Sequence, residues 1–265
     1  MNVYLHELKA CRKSCIVWTC TLVVMLFFYL SLFSSFFKDA VDAQKLLQGY
    51  PDAVKKALGL NVMEMASLVR FYSFIFGYIV LCGAIQAMNL GTSILSKELR
   101  EKTADFLLTK PITRSSILTA KLLAAVTSLV ITNMVYIICA IIAANIFKTE
   151  DYNITVFLMI SATMFFVQIL FLVIGIFLSI ILGKIKSVIS VSLGTVFTFY
   201  FISMFTSVLG DNSLRYITPF QYFNSSYIIE HSSYEGSFIA VGIVVVILTV
   251  TASYLMYVRK DIHAV

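Results

Sequence analysis

Charged residues are scarce in this chain, and their scarcity excludes an ordinary soluble fold. Only 13% of the 265 residues are Asp, Glu, Lys or Arg, whereas a soluble domain carries about 25%. Hydrophobic residues make up 60% of the sequence, and the mean hydropathy is +0.92. A soluble fold of this length could not bury so much apolar surface, so the composition indicates a protein whose solvent is a lipid bilayer.

Sequence motifs for nucleotides and metals are missing as well. The nearest approach to a phosphate-binding loop is Gly183-Lys184, but Ile185 follows it and no glycine stands at the required offset. The chain therefore cannot hold nucleotide phosphates by itself. Its five cysteines contain no Cys-x-x-Cys pair, and its three histidines are scattered, which excludes metal sites of known ligand spacing. We expect no catalytic residue, metal or cofactor in this chain.

Acidic and basic residues are absent from the interior of the apolar runs. Ion-driven transporters and proton relays normally need such residues near the middle of the membrane, so their absence disfavours ion-coupled transport. The polar groups that remain there include Gln86, Asn133 and Gln168. We expect these amides to form hydrogen bonds between helices. The alternative is that they contact a transported substrate.

Long apolar runs, in contrast, are abundant. About 20 residues of helix cross a bilayer core, and a Lys, Arg or Asp at the centre of such a helix costs about 2.5–3.5 kcal/mol on insertion scales. Six uncharged runs of sufficient length predict an all-α integral membrane protein with six transmembrane helices in a single domain over residues 1–265. The predicted spans cover about residues 16–37, 68–92, 118–147, 154–183, 187–209 and 237–258.

The first apolar run does not belong to a cleaved signal peptide, although Lys9, Arg12 and Lys13 resemble the basic region that precedes one. The first apolar run has 22 residues, whereas the apolar region of a signal peptide has about 7–15. Before it, Leu5, Leu8, Cys11 and Cys15 lie on one helical stripe among charged residues. This pattern predicts an interfacial helix followed by an uncleaved span.

Lys and Arg residues are distributed unequally between the two sides of the predicted membrane. Thirteen of the 20 lie at the termini and in the even-numbered connections, and seven lie in the others. This asymmetry predicts a multi-pass protein of the cell membrane with both termini in the cytoplasm. Because the basic residues serve this orientation, the net charge of +6 does not indicate a nucleic-acid partner.

The connection Lys97–Lys121 is predicted to be cytoplasmic and carries the strongest cluster of charges. Leu95, Leu99 and Phe106 fall at helical spacing among charged residues, which predicts an amphipathic helix at the membrane surface. Pro111 would end that helix, because proline lacks the amide donor that a helix needs.

Thr113 or Ser115 can cap the helix that follows this connection. A link of about two to eight residues would join two neighbouring helices, so the extra length and mixed charge favour docking into a soluble partner. The alternative is an ordinary basic loop on lipid headgroups.

On the other side of the membrane, Tyr216–Ile229 is uncharged but spans only 14 residues and contains Pro219. Its length and its proline predict a short re-entrant or interfacial segment.

Several residues of the Lys97–Lys121 connection form a recognisable pattern. Glu98 and Glu101 precede a Thr-x-x-x-Leu-Leu-x-x-Pro-x-x-Arg run that begins at Thr103 and ends at Arg114, and Lys121 enters the third span. This pattern resembles the membrane subunits of type-2 ATP-binding-cassette exporters. Lys102 is a departure, because glycine is common before that threonine. Tyr50-Pro51 and Thr218-Pro219-Phe220 also look like that family.

The resemblance implies a permease domain that forms half of a transporter. Two permease chains, identical or homologous, would pair in the bilayer above two ABC ATPase subunits. The ATPase subunits would bind ATP and Mg, and the permease pair would move an amphipathic or hydrophobic substrate outward. A non-transporting membrane anchor that recruits a cytoplasmic partner is the alternative. The residues expected to couple to the ATPase are Glu98, Arg100, Glu101, Thr103, Asp105, Pro111 and Arg114.

Overall fold

Every regular element in the described part of the chain is a helix. The computed structural model describes residues 3–35, 37–38, 67–100, 113–182, 185–209 and 215–259. The elements are α1 (Val3–Ser31), α2 (Leu68–Arg100), α3 (Arg114–Phe147), α4 (Ile154–Leu182), α5 (Val188–Leu209), a 3-10 turn (Pro219–Gln221), α6 (Ser225–His231) and α7 (Gly236–Arg259).

Six of these helices are long and apolar enough to cross a membrane. The qualifying stretches are Val3–Ser35, Leu68–Ile94, Ser115–Phe147, Ile154–Leu182, Val188–Thr206 and Gly236–Val258. Length and composition thus confirm the predicted all-α, multi-pass architecture with six spans. The interfacial position of the N-terminus and the re-entrant position of the segment after α5 stay predictions.

α1 contains both the N-terminal residues and the predicted first span. It runs without a break from Val3 to Ser31, because no Pro or Gly interrupts this stretch and because its first turns pack on α3. Near its start, the Tyr4 hydroxyl lies 3.1 Å from Thr127 Oγ1. The helix therefore passes residue 16, where the span is predicted to begin, without a break.

α2 also continues further than the predicted second span. The helix runs to Arg100, so Lys97, the expected start of a separate amphipathic helix, lies within α2. Just before Lys97, the Ser96 hydroxyl donates to the Thr92 carbonyl one turn earlier, at 2.7 Å. This hydrogen bond satisfies the Ser96 hydroxyl within the helix.

α2 and α4 form the centre of the bundle and cross closely at two glycines. A Cβ atom on Gly91 would collide with the carbonyl oxygen of Leu172, and one on Gly175 would lie 2.8 Å from the carbonyl oxygen of Met88. Small residues allow such backbone approach, which is how helices associate where lipid supplies no hydrophobic driving force.

The other helices pack around this central pair. α1 lies mainly against α3, α5 lies against α2, and α7 lies against α4 and α3. Much of the apolar surface of α1, α5 and α7 remains exposed, as expected of helices that face lipid or another chain.

Candidate functional site

The residues expected to couple to an ATPase lie at, or between, the ends of α2 and α3. Glu101, Thr103, Asp105 and Pro111 are outside the described residues. Glu98 and Arg100 stand in the last turn of α2, and Arg114 begins α3; the structure describes these three by their backbone alone. Their role in coupling stays a prediction.

The start of α3 confirms the predicted cap at Thr113. Thr113 has extended backbone angles, φ −70° and ψ 146°, and its Oγ1 accepts a hydrogen bond from the Ser116 amide at 3.3 Å. An N-cap of this kind satisfies one of the amide donors that a helix leaves free at its start. The cap fixes where the connection ends and the third span begins.

A buried lysine joins three helices near this connection. Lys121 on α3 is only 1% exposed. Its Nζ donates to Glu7 Oε1 of α1 at 2.7 Å and to the Ile94 carbonyl oxygen of α2 at 3.0 Å. Removing an ammonium group from water costs several kcal/mol unless it is paired and hydrogen-bonded, and the Glu7 carboxylate and the Ile94 carbonyl offset that cost. We call Lys121, Glu7 and Ile94 the three-helix clasp.

Sequence reasoning placed Lys121 at the entrance of the third span but did not find its partner. Glu7 stands 114 residues away along the chain, and only the packing of α1 on α3 brings the two together. The one available signal was that Glu7 is an acidic residue in a basic N-terminal segment.

The three amides predicted within the spans lie together in the interior of the bundle. Gln86, Asn133 and Gln168 are 4%, 4% and 0% exposed. Asn133 Nδ2 donates to Gln168 Oε1 at 2.6 Å, and Gln168 Nε2 donates to Gln86 Oε1 at 3.2 Å and to the Gly83 carbonyl at 3.3 Å. These contacts connect α3, α4 and α2.

The same network extends to α1 through a threonine pair. Gln86 Nε2 donates to Thr132 Oγ1 at 3.1 Å, and Thr132 Oγ1 lies 3.0 Å from Thr19 Oγ1 and 3.5 Å from Cys15 Sγ. We call the three amides and the two threonines the amide network. Its geometry is that of interhelical hydrogen bonding, and the substrate-contact alternative for the amides stays a prediction.

A second buried polar cluster was not expected from the sequence. The Tyr72 hydroxyl lies 3.0 Å from the Tyr136 hydroxyl and 2.8 Å from Ser161 Oγ, so α2, α3 and α4 are joined again. The Tyr72 ring also packs against Phe157, with centroids 4.3 Å apart. The chain has 14 tyrosines, and the sequence does not indicate which of their hydroxyls face a neighbour.

The uncharged segment between α5 and α7 folds as two short helical pieces held on the bundle. Pro219 begins the 3-10 turn, where its missing amide donor is no disadvantage. Thr218 Oγ1 donates to the Phe199 carbonyl at 3.0 Å, and Gln221 Nε2 donates to the Ser203 carbonyl at 3.1 Å. Both acceptors lie on α5.

Aromatic rings attach the same segment to α4. Phe220 lies 5.0 Å from Phe171, and Phe223 stacks on Phe166 at 5.3 Å, measured between ring centroids. The Tyr234 hydroxyl donates to the Met159 carbonyl at 2.9 Å. Burial raises the pKa of the Tyr234 hydroxyl.

An ion pair connects the two ends of this segment. Arg215 Nη2 donates to Glu235 Oε2 at 2.6 Å, and the guanidinium carbon lies 4.1 Å from the centre of the Phe238 ring. Both charged side chains are largely buried, at 17% and 25% exposed. The pair thus fixes the chain before the 3-10 turn to the start of α7.

Comparison with known protein families identifies the chain. The model of the family described as ABC-2 family transporter protein matches residues 1–262. In a sequence comparison with curated proteins, none matches. The family match covers the six spans, the connection between α2 and α3 and the segment between α5 and α7, and membership implies association with an ABC ATPase subunit. The chain therefore belongs to the ABC-2 family of transporter proteins, as the membrane permease component of an ABC transporter.

Proposed function

We propose that this chain is the membrane-spanning subunit of an ATP-driven exporter that moves an amphipathic or hydrophobic substrate, such as a peptide, lipid or drug, outward across the cell membrane. The observation that carries the proposal is the family match over residues 1–262 in a chain that has six spans and no phosphate-binding loop of its own. Energy must then come from a partner chain, and the family's partner is an ABC ATPase.

In the proposed complex, two permease chains, identical or homologous, stand above two ATPase subunits, with both termini in the cytoplasm. ATP binding brings the ATPases together, and the connection between α2 and α3 moves with them. Because α2 packs along α4 and α3 packs on α1, a displacement at that connection would shift the helices of each half and expel substrate through the interface between the halves.

The charge pattern of the connection supports its role as the docking element. Glu98 and Glu101 flank the apolar stripe of Leu95, Leu99 and Phe106, so part of the acidic set must face water or a partner. A desolvated charge left unpaired at an interface costs on the order of 2–5 kcal/mol. Reversing the two charges should therefore reduce the affinity for the ATPase far more than it reduces the stability of the permease itself.

The decisive experiment is co-purification of the partner ABC ATPase with the Glu98→Lys/Glu101→Lys double variant. We expect recovery of the ATPase to fall while the permease inserts normally. The matched control is Glu150→Lys, because Glu150 is an exposed acid in the connection between α3 and α4, at the opposite end of the bundle. Unchanged ATPase recovery and unchanged transport in the double variant would reject this docking element.

Transport itself distinguishes an exporter from a membrane anchor. The complex is reconstituted in liposomes, and the probes are a fluorescent phospholipid, a cationic amphipathic peptide and a hydrophobic dye. If the complex is an exporter, at least one probe stimulates its ATP hydrolysis, and the complex transports that probe even in the presence of a protonophore. An anchor binds the ATPase but does neither with any of the three.

A further inference from the structure

The three-helix clasp lies about two turns inside the ends of the connected helices. Ile94 precedes the end of α2 at Arg100, and Lys121 follows the start of α3 at Arg114. At 1.5 Å per residue, each helix continues roughly 10 Å beyond the clasp toward the α2–α3 connection. Glu7, the third member, belongs to α1, which the chain does not link directly to that connection.

The clasp differs from the hydroxyl contacts between α1 and α3 in two respects. It is ionic and buried, since Lys121 is 1% and Glu7 14% exposed, and it includes a backbone atom of a third helix. The Tyr4–Thr127 and Thr19–Thr132 contacts of α1 with α3 are formed by neutral hydroxyl groups. A buried, hydrogen-bonded charge pair holds one specific geometry, because any displacement leaves a desolvated charge without its partner.

From this arrangement we infer that Lys121 is a positioning residue which makes the ends of α1, α2 and α3 move as one unit when the connection is displaced. The inference rests on the proposed function, in which an ATPase displaces that connection. Two turns of helix carry the movement to the clasp, and the ion pair with Glu7 passes it to α1. Without the clasp, α2 and α3 would still move, but α1 would follow only through neutral contacts and apolar packing, which allow it to lag behind.

The test compares the Lys121→Met/Glu7→Gln double variant with the wild-type complex. This variant removes both charges while keeping side chains of similar size, and replacing a whole buried pair is often tolerated where removing one partner is not. Spin labels are attached at Lys9 on α1 and Ser115 on α3, both exposed, in a cysteine-free background. Their distance is measured without nucleotide and with ATP trapped by vanadate.

In the wild-type complex, the distance between the labels should be the same in both nucleotide states. In the double variant, it should broaden or shift with ATP, and transport per ATP hydrolysed should fall about fivefold or more, the lower range of coupling between sites. The control Tyr4→Phe removes a neutral contact between α1 and α3 and should retain wild-type behaviour. If the double variant fails to insert, Lys121→Met/Glu7→Met, which also removes both charges together, is measured in its place.

A constant label distance and wild-type transport per ATP in the variant would overturn this inference while leaving the proposed function intact. If the labels in the wild-type complex separate with ATP, the ends of α1, α2 and α3 do not move together, and the inference also fails. In contrast, a wild-type chain that recovers no ATPase would overturn the proposed function, and the inference with it. Recovery of the ATPase from the wild-type chain is therefore measured first.

Discussion

The carbonyl oxygen of Leu172 occupies the space that a Cβ atom of Gly91 would need. α2 and α4 thus approach so closely that backbone touches backbone, and the approach is reinforced one turn away by Gly175. No side chain can rotate out of the way at this crossing, because the obstructing atom belongs to the main chain. The crossing determines how the two central helices sit against each other.

This crossing predicts that Gly91→Ala destabilises the protein although alanine is the better helix former. Inserting a methyl group into a packed contact costs about 1–3 kcal/mol, and here the backbone itself must shift. The control is Gly77→Ala on the same helix, where nothing lies within 4 Å of the added atom, so propensity alone should make it neutral or slightly stabilising. Thermal unfolding in detergent measures both, and equal melting temperatures would contradict the close approach.

The amide network predicts a difference between two asparagines of α3. Asn133 bonds Gln168 in the interior, whereas Asn145 is exposed and its side chain donates to the Ile141 carbonyl of its own helix. Asn133→Leu should destabilise the fold by about 1–3 kcal/mol, because it leaves Gln168 Oε1 without that donor. Asn145→Leu should have almost no effect. Unfolding in detergent tests this, and comparable losses from the two variants would show that burial of the amide is unimportant.

The Arg215–Glu235 pair predicts that the segment between α5 and α7 loosens when one charge is removed. Arg215→Met leaves the Glu235 carboxylate largely buried without its cation, which should cost about 1–3 kcal/mol. The control is Lys148→Met, since Lys148 pairs with a fully exposed Asp151 and such surface pairs contribute about 0–1 kcal/mol. Limited proteolysis reports the result: faster cleavage between α5 and α7 in Arg215→Met only. Equal protection in both variants would contradict it.

The distribution of Lys and Arg predicts opposite locations for two connections. Single cysteines at Lys102 and Lys45 in a cysteine-free background should react differently with an impermeant thiol reagent added to intact cells. Lys45 is expected outside and should be labelled, whereas Lys102 should be labelled only after the cells are opened. Labelling of Lys102 in intact cells would overturn the predicted orientation.

Much of the architecture could be predicted because it depends on properties that are local in the sequence. The six spans follow from uncharged runs, since the energetic penalty for a charge in lipid applies residue by residue. The cap at Thr113 follows from hydroxyl chemistry next to a helix start. An interhelical role for Gln168 follows from the absence of water inside the bundle.

The contacts between distant residues could not be predicted, because they depend on which helices are neighbours. Nothing in the residues around Lys121 indicates that Glu7 lies beside it, and Tyr72 is one of many tyrosines until the packing of three helices selects it. Gly91 resembles the other glycines of the spans in sequence. A single sequence does not specify which helices are neighbours or how each is rotated about its axis, and these contacts depend on both.

The amide network has one more property, which is a fixed direction of donation. Asn133 donates to Gln168, Gln168 to Gln86, and Gln86 to Thr132. Thr19 uses its hydroxyl proton on the Cys15 carbonyl at 2.7 Å, so in the threonine pair Thr132 is the donor. An amide nitrogen cannot take up a proton at one end of such a chain and release it at the other. The amide network can therefore join four helices without itself relaying protons from one end to the other.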